Sequence, residues 1–226
     1  MKDWSRTYKL MINPITRPWL VRARHAALGL TLLTCLTATS VANTELAGVR
    51  YAPTMRSGNV NLSLNGSGII YKAIYKQYTV GLYVSKKSSN SNELVNQPGP
   101  KQLRFVVLIP MRVDAMGKML ARGIELNTTR PEFHKIIPDT IEMGRVFSKM
   151  KRMYPGDTVA IDYTPQLGTR FLVNERPVGQ AIAGPNFFNA VLKSWVGDKP
   201  NYQDLKNELL NVKASAALDA LDDLDE

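Results

Sequence analysis

The chain has little of what most often carries chemistry. Its 226 residues contain one cysteine, Cys35, and two histidines, His25 and His134. A fold of this composition stands without disulfides, and a zinc site, which needs three or four nitrogen, sulfur or carboxylate ligands, has almost nothing to draw on. A Ser-His-Asp or Cys-His arrangement in the body of the chain would have to use His134, which lies beside Phe133 and Ile136 and reads as a surface or boundary residue. No GxGxxG or Walker pattern occurs, so no nucleotide cofactor is expected, nor any other. There are no internal repeats. The single long apolar run, Ala26 to Ala38, has 13 residues and is too short to span a bilayer comfortably.

That run has the layout of an export signal. Arg17 to His25 is basic, Ala26 to Ala38 is apolar, and Ser40 and Ala42 place small residues at −3 and −1. Cleavage is expected between Ala42 and Asn43, with translation starting at Met1 or Met11. An uncleaved anchor is the alternative. Cys35 follows Thr34, a poor lipobox. The expected mature chain is periplasmic or secreted, has no cysteine and has no membrane span. The formal charge of +10 is partly a property of this leader, because residues 43–226 keep 23 basic and 18 acidic side chains, or +5. A scattered +5 is a solvated surface, so no nucleic-acid partner is expected.

The rest reads as a lead-in (43–58), a folded domain (59–211) and an acidic, Ala-rich tail (212–226). The lead-in is punctuated by Gly and Pro and carries at most a short strand. Within Leu64 to Lys87, Asn65-Gly66-Ser67-Gly68 supplies residues that tolerate positive φ, so a sharp turn is expected there between extended pieces. Ile69 to Val84 is rich in β-branched and aromatic residues, as strands are. A short helix around Leu94-Val95 precedes the strand Leu103 to Pro110. Val113, Met116, Met119/Leu120, Gly123 and Ile124 recur at helical spacing, predicting a helix over 113–127 with Lys118 and Arg122 outside.

Thr129 to Glu132 is a capping-box start, and Pro138 predicts two short helices, 130–137 and 139–151. A turn at Pro155 to Asp157, strands through Val159–Tyr163 and Gly168–Val173 with a turn at Asn174-Glu175, a helix opened by Pro185 and ended by Gly197, and a last helix capped by Asn201 complete the order. Strands, helices, strands and closing helices make an α+β fold, an antiparallel sheet with helices packed on one face.

One ordered set of segments resembles the chalcone isomerase-like family, most closely its bacterial secreted branch, over roughly residues 59–211. The set is L-x-G-x-G at Leu64 to Gly68, then K-x-Y-x-x-G-L-Y-V, LRFVVLIP, the 113–127 helix ending ARGIELN, the PGD turn, and NERPVGQAI before PNFFNAVLKSWVGDKP. The resemblance implies an open-faced β-sandwich with a ligand cleft between sheet and helices. It also implies where an isomerase would carry polar groups. The arginine position falls on Ile70, the threonine on Tyr78 with Thr79 adjacent, the helix tyrosine on Met116, the asparagine on Gly123, and the late hydroxyl near Phe188. No arginine occurs from Gly58 to Leu103.

Without an oriented guanidinium, the electrostatic stabilisation such a reaction depends on is missing, and so is the carboxylate anchor of the fatty-acid-binding members. The expectation is a non-catalytic protein whose cleft, lined by Ile70, Tyr78, Met116, Met119, Gly123 and Phe188, takes a lipid or other apolar or amphipathic small molecule. Phe187 and the tyrosines 71, 75 and 83 stand near it, and Lys72, Lys76 or Arg112 could supply a replacement charge. The rival readings are an isomerase or intramolecular lyase with a divergent site, and a protein-interaction module with a filled core.

Overall fold

In the computed structural model, residues 43–150 and 152–212 are described. The leader and its cleavage site, and all of the tail beyond Val212, lie outside the described residues. The lead-in forms three strands rather than one at most: β1 (Thr44–Leu46), β2 (Val49–Tyr51) and β3 (Thr54–Ser57). They are followed by β4 (Val60–Lys72), β5 (Tyr75–Val84), α1 (Ser91–Asn96) and β6 (Lys101–Val107). Then come β7 (Met111–Arg112), α2 (Val113–Leu126), α3 (Arg130–Lys149) and β8 (Arg152–Met153), which pairs with β7. The chain continues through β9 (Thr158–Thr164), β10 (Gly168–Val173), β11 (Arg176–Ile182), α4 (Asn186–Val196) and α5 (Gln203–Leu209). Seven strands form one antiparallel sheet in the order β11-β10-β9-β6-β5-β4-β3, curled as a half-barrel with helices packed on it. This is the α+β architecture expected.

Side chains of a strand alternate between faces, and here the two faces have separate cores. Tyr78, Val80, Leu82 and Val84 of β5 join Leu103, Phe105 and Val107 of β6 and the helix residues Met116, Leu120, Ile124, Val191 and Trp195 in the large core. Tyr83 belongs instead to a small core with Tyr51, Leu62 and Leu64, packed against Leu46, Val49 and Met55 of the lead-in. Ser57 donates to the Asp162 carboxylate at 3.4 Å, so β3 lies back over this second face.

The sharp turn expected at Asn65–Gly68 is not there. β4 runs through it, and the chain reverses at Ala73-Ile74, where Ala73 has φ +54°. The Asn-Gly-Ser-Gly stretch is a register step instead. Leu64 pairs with Tyr83 but Gly66 pairs with Leu82, so one residue is gained on β4 at Asn65. A strand that gains one residue switches the face its side chains occupy. Leu62 and Leu64 therefore enter the small core, while Gly66, Gly68 and Ile70 face the helices. The glycines are needed because α5 lies directly on them: a β-carbon at Gly66 would meet the carbonyl oxygens of Glu208 and Leu209, and one at Gly68 the side chains of Glu208 and Leu205.

The helix layer follows its apolar stripes. In α2, Met116, Leu120 and Ile124 are buried while Lys118 and Arg122 are exposed, as the spacing predicts. In place of two short helices, α3 is one helix of 20 residues with Pro138 inside it, opened by the Thr129–Glu132 capping box. Proline removes the bond to the carbonyl four residues back, and both Pro138 and His134 are exposed, so water can satisfy that carbonyl. Gly197 ends α4. Tyr202, not Asn201, is the N-cap of α5, and its side chain makes no capping bond.

Candidate functional site

The six residues read as cleft-lining are spread along the sheet: Phe188 stacks on Tyr163 at the Lys101 end of β6, whereas Tyr78 pairs at its Val107 end. Ile70 pairs with Tyr78, and Tyr78 with Val107. Met119 reaches Tyr78 from α2, and Met116 is buried on the same helix. Ile70, Tyr78, Met116 and Phe188 are between 0% and 3% exposed, Gly123 is buried and Met119 is half-buried. All but Met119 therefore lie inside the core.

At its centre is an aromatic cluster. Tyr78 meets Phe105 edge-on at 6.0 Å, Phe105 meets Trp195 at 5.3 Å, and Trp195 stacks on Tyr202 at 6.4 Å. Few polar atoms lie within it. The Tyr78 hydroxyl donates to the Met119 sulfur at 3.8 Å, a weak acceptor. Burial pushes the Tyr78 pKa well above the ordinary tyrosine value, and the charge and hydroxyl of Tyr202 raise it further. The Trp195 indole N–H is buried and has no acceptor among the described residues. Around the cluster the core is rich in methionine: Met111, Met116, Met143 and Met153 are buried, and Met119 and Met150 pack against it. Unbranched thioethers fill irregular space and repack at little cost.

Some of the polar positions the resemblance raised have a local explanation. A β-carbon at Gly123 would lie 2.6 Å from that of Ser194 and 2.7 Å from the Asn201 amide nitrogen, so Asn201 occupies the room a side chain there would take. Thr79 faces the other way and shares a 2.8 Å hydrogen bond with the Tyr51 hydroxyl, so it cannot serve the helix-side space. Gly81, in the G-L-Y motif, leaves room for the Tyr51 ring, which a β-carbon would approach to 2.6 Å. The Tyr83 hydroxyl donates to the Ala52 carbonyl at 2.9 Å, so this tyrosine too fastens the lead-in. Tyr71 and Tyr75 are exposed on the β4–β5 hairpin. Phe187 is fully buried, and Phe188 stacks on Tyr163 at 5.5 Å.

None of the three cations considered as replacements is buried: Lys72 and Lys76 are exposed, and Arg112 is exposed and bonded to Asp114 at 3.1 Å. Among the described residues the buried cation is Lys101, 2% exposed at the start of β6. Its ammonium donates to the Val95 carbonyl at the end of α1 at 2.9 Å and to Asn189 Oδ1 at 3.5 Å, and lies 5.9 Å from the Tyr163 ring centre. Burial without a carboxylate partner lowers its pKa from 10.5 to about 8. Sequence pattern hid it, since a lysine opening a strand reads as solvent-facing. Tyr202 and Trp195 were hidden for another reason: their pairing depends on how the loop after α4 folds back.

The one buried carboxylate ion pair, Asp162 with Arg170 at 2.6 Å among the described residues, lies on the face carrying Ser57 and Gln102, away from the aromatic cluster. The described residues hold no group of three His, Cys, Asp or Glu side chains able to bind a metal ion. No described helix is long and apolar enough to cross a membrane. A polar recess between α1, α3 and α4 is lined by Asn96, Thr128, Glu132, Asn189 and Lys193. An apolar one lies between α2 and α3 around Ala121, Met143 and Phe147.

A family model described as chalcone isomerase-like matches residues 43–211, and the chain belongs to that family. The match begins at the lead-in, which the structure shows to be part of the fold. Comparison with curated proteins gave no match. Among solved structures the chain is similar to the fatty-acid binding protein of Arabidopsis thaliana, with 12% identity and a TM-score of 0.58 over 78% of this chain and 100% of that one. At that identity the likeness concerns the fold.

Proposed function

We propose that this member of the chalcone isomerase-like family is an exported, non-catalytic carrier of an amphipathic, fatty-acid-like molecule, held between the sheet and α2 and α4. The observation that carries the reading is the Trp195 N–H, a buried donor without an acceptor, set among aromatic and methionine side chains. Such an orphan destabilises a fold by about 1–3 kcal/mol, and a ligand oxygen would satisfy it. Met116 and Met119 are the side chains that would yield to an acyl chain. The fatty-acid-binding title of the Arabidopsis protein, which shares the fold, supports the same ligand class.

The donors at hand are neutral: the indole N–H and the hydroxyls of Tyr78 and Tyr202. A neutral site does not require a carboxylate, so fatty alcohols and esters should bind about as well as fatty acids. An isomerase is disfavoured on the same ground, because Ile70, Met116 and Gly123 place no ionisable group in the space.

The test is titration of delipidated protein with a fatty acid and the alcohol of equal length, read by native mass spectrometry. The expected result is one molecule per chain for each, with loss of binding in Trp195→Phe. A second reading, an interaction module with a filled core, is favoured by the burial of five of the six cleft residues. No uptake of either ligand would establish that reading over the carrier.

A further inference from the structure

The β4–β5 hairpin outruns the sheet that supports it. β6 pairs with β5 only from Tyr78 to Val84, and β3 pairs with β4 only from Val60 to Ser63. Beyond Gln77, whose carbonyl accepts from the Leu108 and Ile109 N–H groups, the two strands pair only with each other, through Tyr71–Lys76 and Lys72–Tyr75. A two-stranded ribbon of this kind has no sheet neighbour on which to bury its side chains. Yet its tip is apolar: Ile74 is 83% exposed, Tyr75 62% and Tyr71 51%. Lys72 and Lys76 flank them, both exposed and neither in an ion pair with a described residue.

We propose that this tip docks on an anionic lipid bilayer, with Ile74 entering the acyl boundary, Tyr71 and Tyr75 at headgroup level, and Lys72 and Lys76 on the lipid phosphates. The chemistry selects that partner. Aliphatic side chains partition into the interface, tyrosine rings with polar tips favour it, and lysines beside them are drawn to negative headgroups. A protein groove would accommodate Ile74 but gives no reason for a lysine beside each tyrosine. The tip also continues directly from Ile70 and Tyr78, so docking would bring the space between sheet and helices to the membrane. The proposal does not depend on what that space holds.

The experiment is co-sedimentation of the full chain with vesicles of phosphatidylcholine alone or mixed with phosphatidylglycerol. The same measurement is made on Ile74→Asp and on Lys72→Glu/Lys76→Glu, so that any contribution of the leader is common to all. The expected result is stronger binding to the phosphatidylglycerol vesicles, weakened at least tenfold by Ile74→Asp. Removing a lysine should lower binding about fivefold per charge, and the charge-reversed variant should show little salt dependence. The substituted residues are exposed, so melting temperatures should not move. Equal binding of all three proteins to both vesicle types would overturn the proposal. So would a self-association of the unaltered chain that Ile74→Asp abolishes, since the tip would then be a contact between copies.

Discussion

The Asn65 side-chain amide donates to the carbonyl of Leu209 at 2.7 Å, joining the register step of β4 to the end of α5. The same amide donates to the Ser88 carbonyl at 3.0 Å, and its oxygen accepts from the Ser88 N–H at 2.8 Å. One side chain thus ties together the sheet, the segment before α1 and the last helix. It is 3% exposed, so losing it leaves buried backbone groups without partners. Asn65→Ala should destabilise the fold by about 1–3 kcal/mol. Gly66→Ala should cost more than Asn65→Ala, because its methyl meets backbone carbonyls that cannot rotate away. Urea unfolding of the two variants checks the order.

The two faces of α2 should respond differently to truncation. Leu120 is fully buried and Lys118 exposed. Leu120→Ala should cost about 2–5 kcal/mol through lost transfer energy and the cavity left behind. Lys118→Ala should change stability by less than about 0.5 kcal/mol. The measurement is again equilibrium unfolding.

Local rules carried much of the architecture, and their failures have physical causes. The stripe of α2, the capping box of α3, the Asn174-Glu175 turn and the stop at Gly197 are decided within a few residues, and all can be read from the sequence. The glycines of β4 have two meanings, turn or close approach. Only the arrival of α5, more than 130 residues later, selects the second. Pro138 reads as a breaker because sequence does not show that its carbonyl partner faces water. At the site, the burial of Ile70, Tyr78 and Met116 was legible from strand and helix period. The Tyr202–Trp195 stack and Asn201 filling the room beside Gly123 were not, because they depend on the loop after α4.

Lys101 should impose a pH dependence of its own. Its folded pKa is about 8 against an ordinary 10.5, so between those values the unfolded chain binds more protons than the folded one. Stability from this group therefore rises with pH across that window. The buried Tyr51 and Tyr78 have raised pKa values and act oppositely, withdrawing stability once unfolded tyrosines ionise near pH 10. Urea midpoints should climb between pH 8 and about 10 and then fall, and Lys101→Met should flatten the climb while leaving the fall.

The protein should not cyclise a chalcone faster or more stereoselectively than buffer, once the spontaneous ring closure is subtracted. Ile70, Met116 and Gly123 offer no charge or hydrogen bond to a phenolate or enolate, and Thr79 is held by Tyr51 on the opposite face. Chiral chromatography of the product is the measurement. An enantiomeric excess from the unaltered chain would reverse the non-catalytic reading.

Ile70→Arg joins the fold to the proposed function. Ile70 is 1% exposed and faces the helices from β4, opposite Tyr78. Glu208 lies against Gly68, two residues away on the same face, so a guanidinium that does not reach that carboxylate would be buried and unpaired. The cost should be at least about 3 kcal/mol, as for a buried charge stripped of its partner. A carrier of amphipathic molecules offers a way to recover it. Ligand at one hundred times its dissociation constant stabilises the folded state by about 2.7 kcal/mol, and only a carboxylate would also neutralise the new charge. A fatty acid should therefore restore the melting temperature of Ile70→Arg further than the matched fatty alcohol, whereas the unaltered chain should respond to both alike. Calorimetric melts of both proteins with both ligands separate the outcomes. If neither ligand rescues the variant, the space between sheet and helices is a packed core. If both rescue it equally, the ligand binds without its head meeting residue 70.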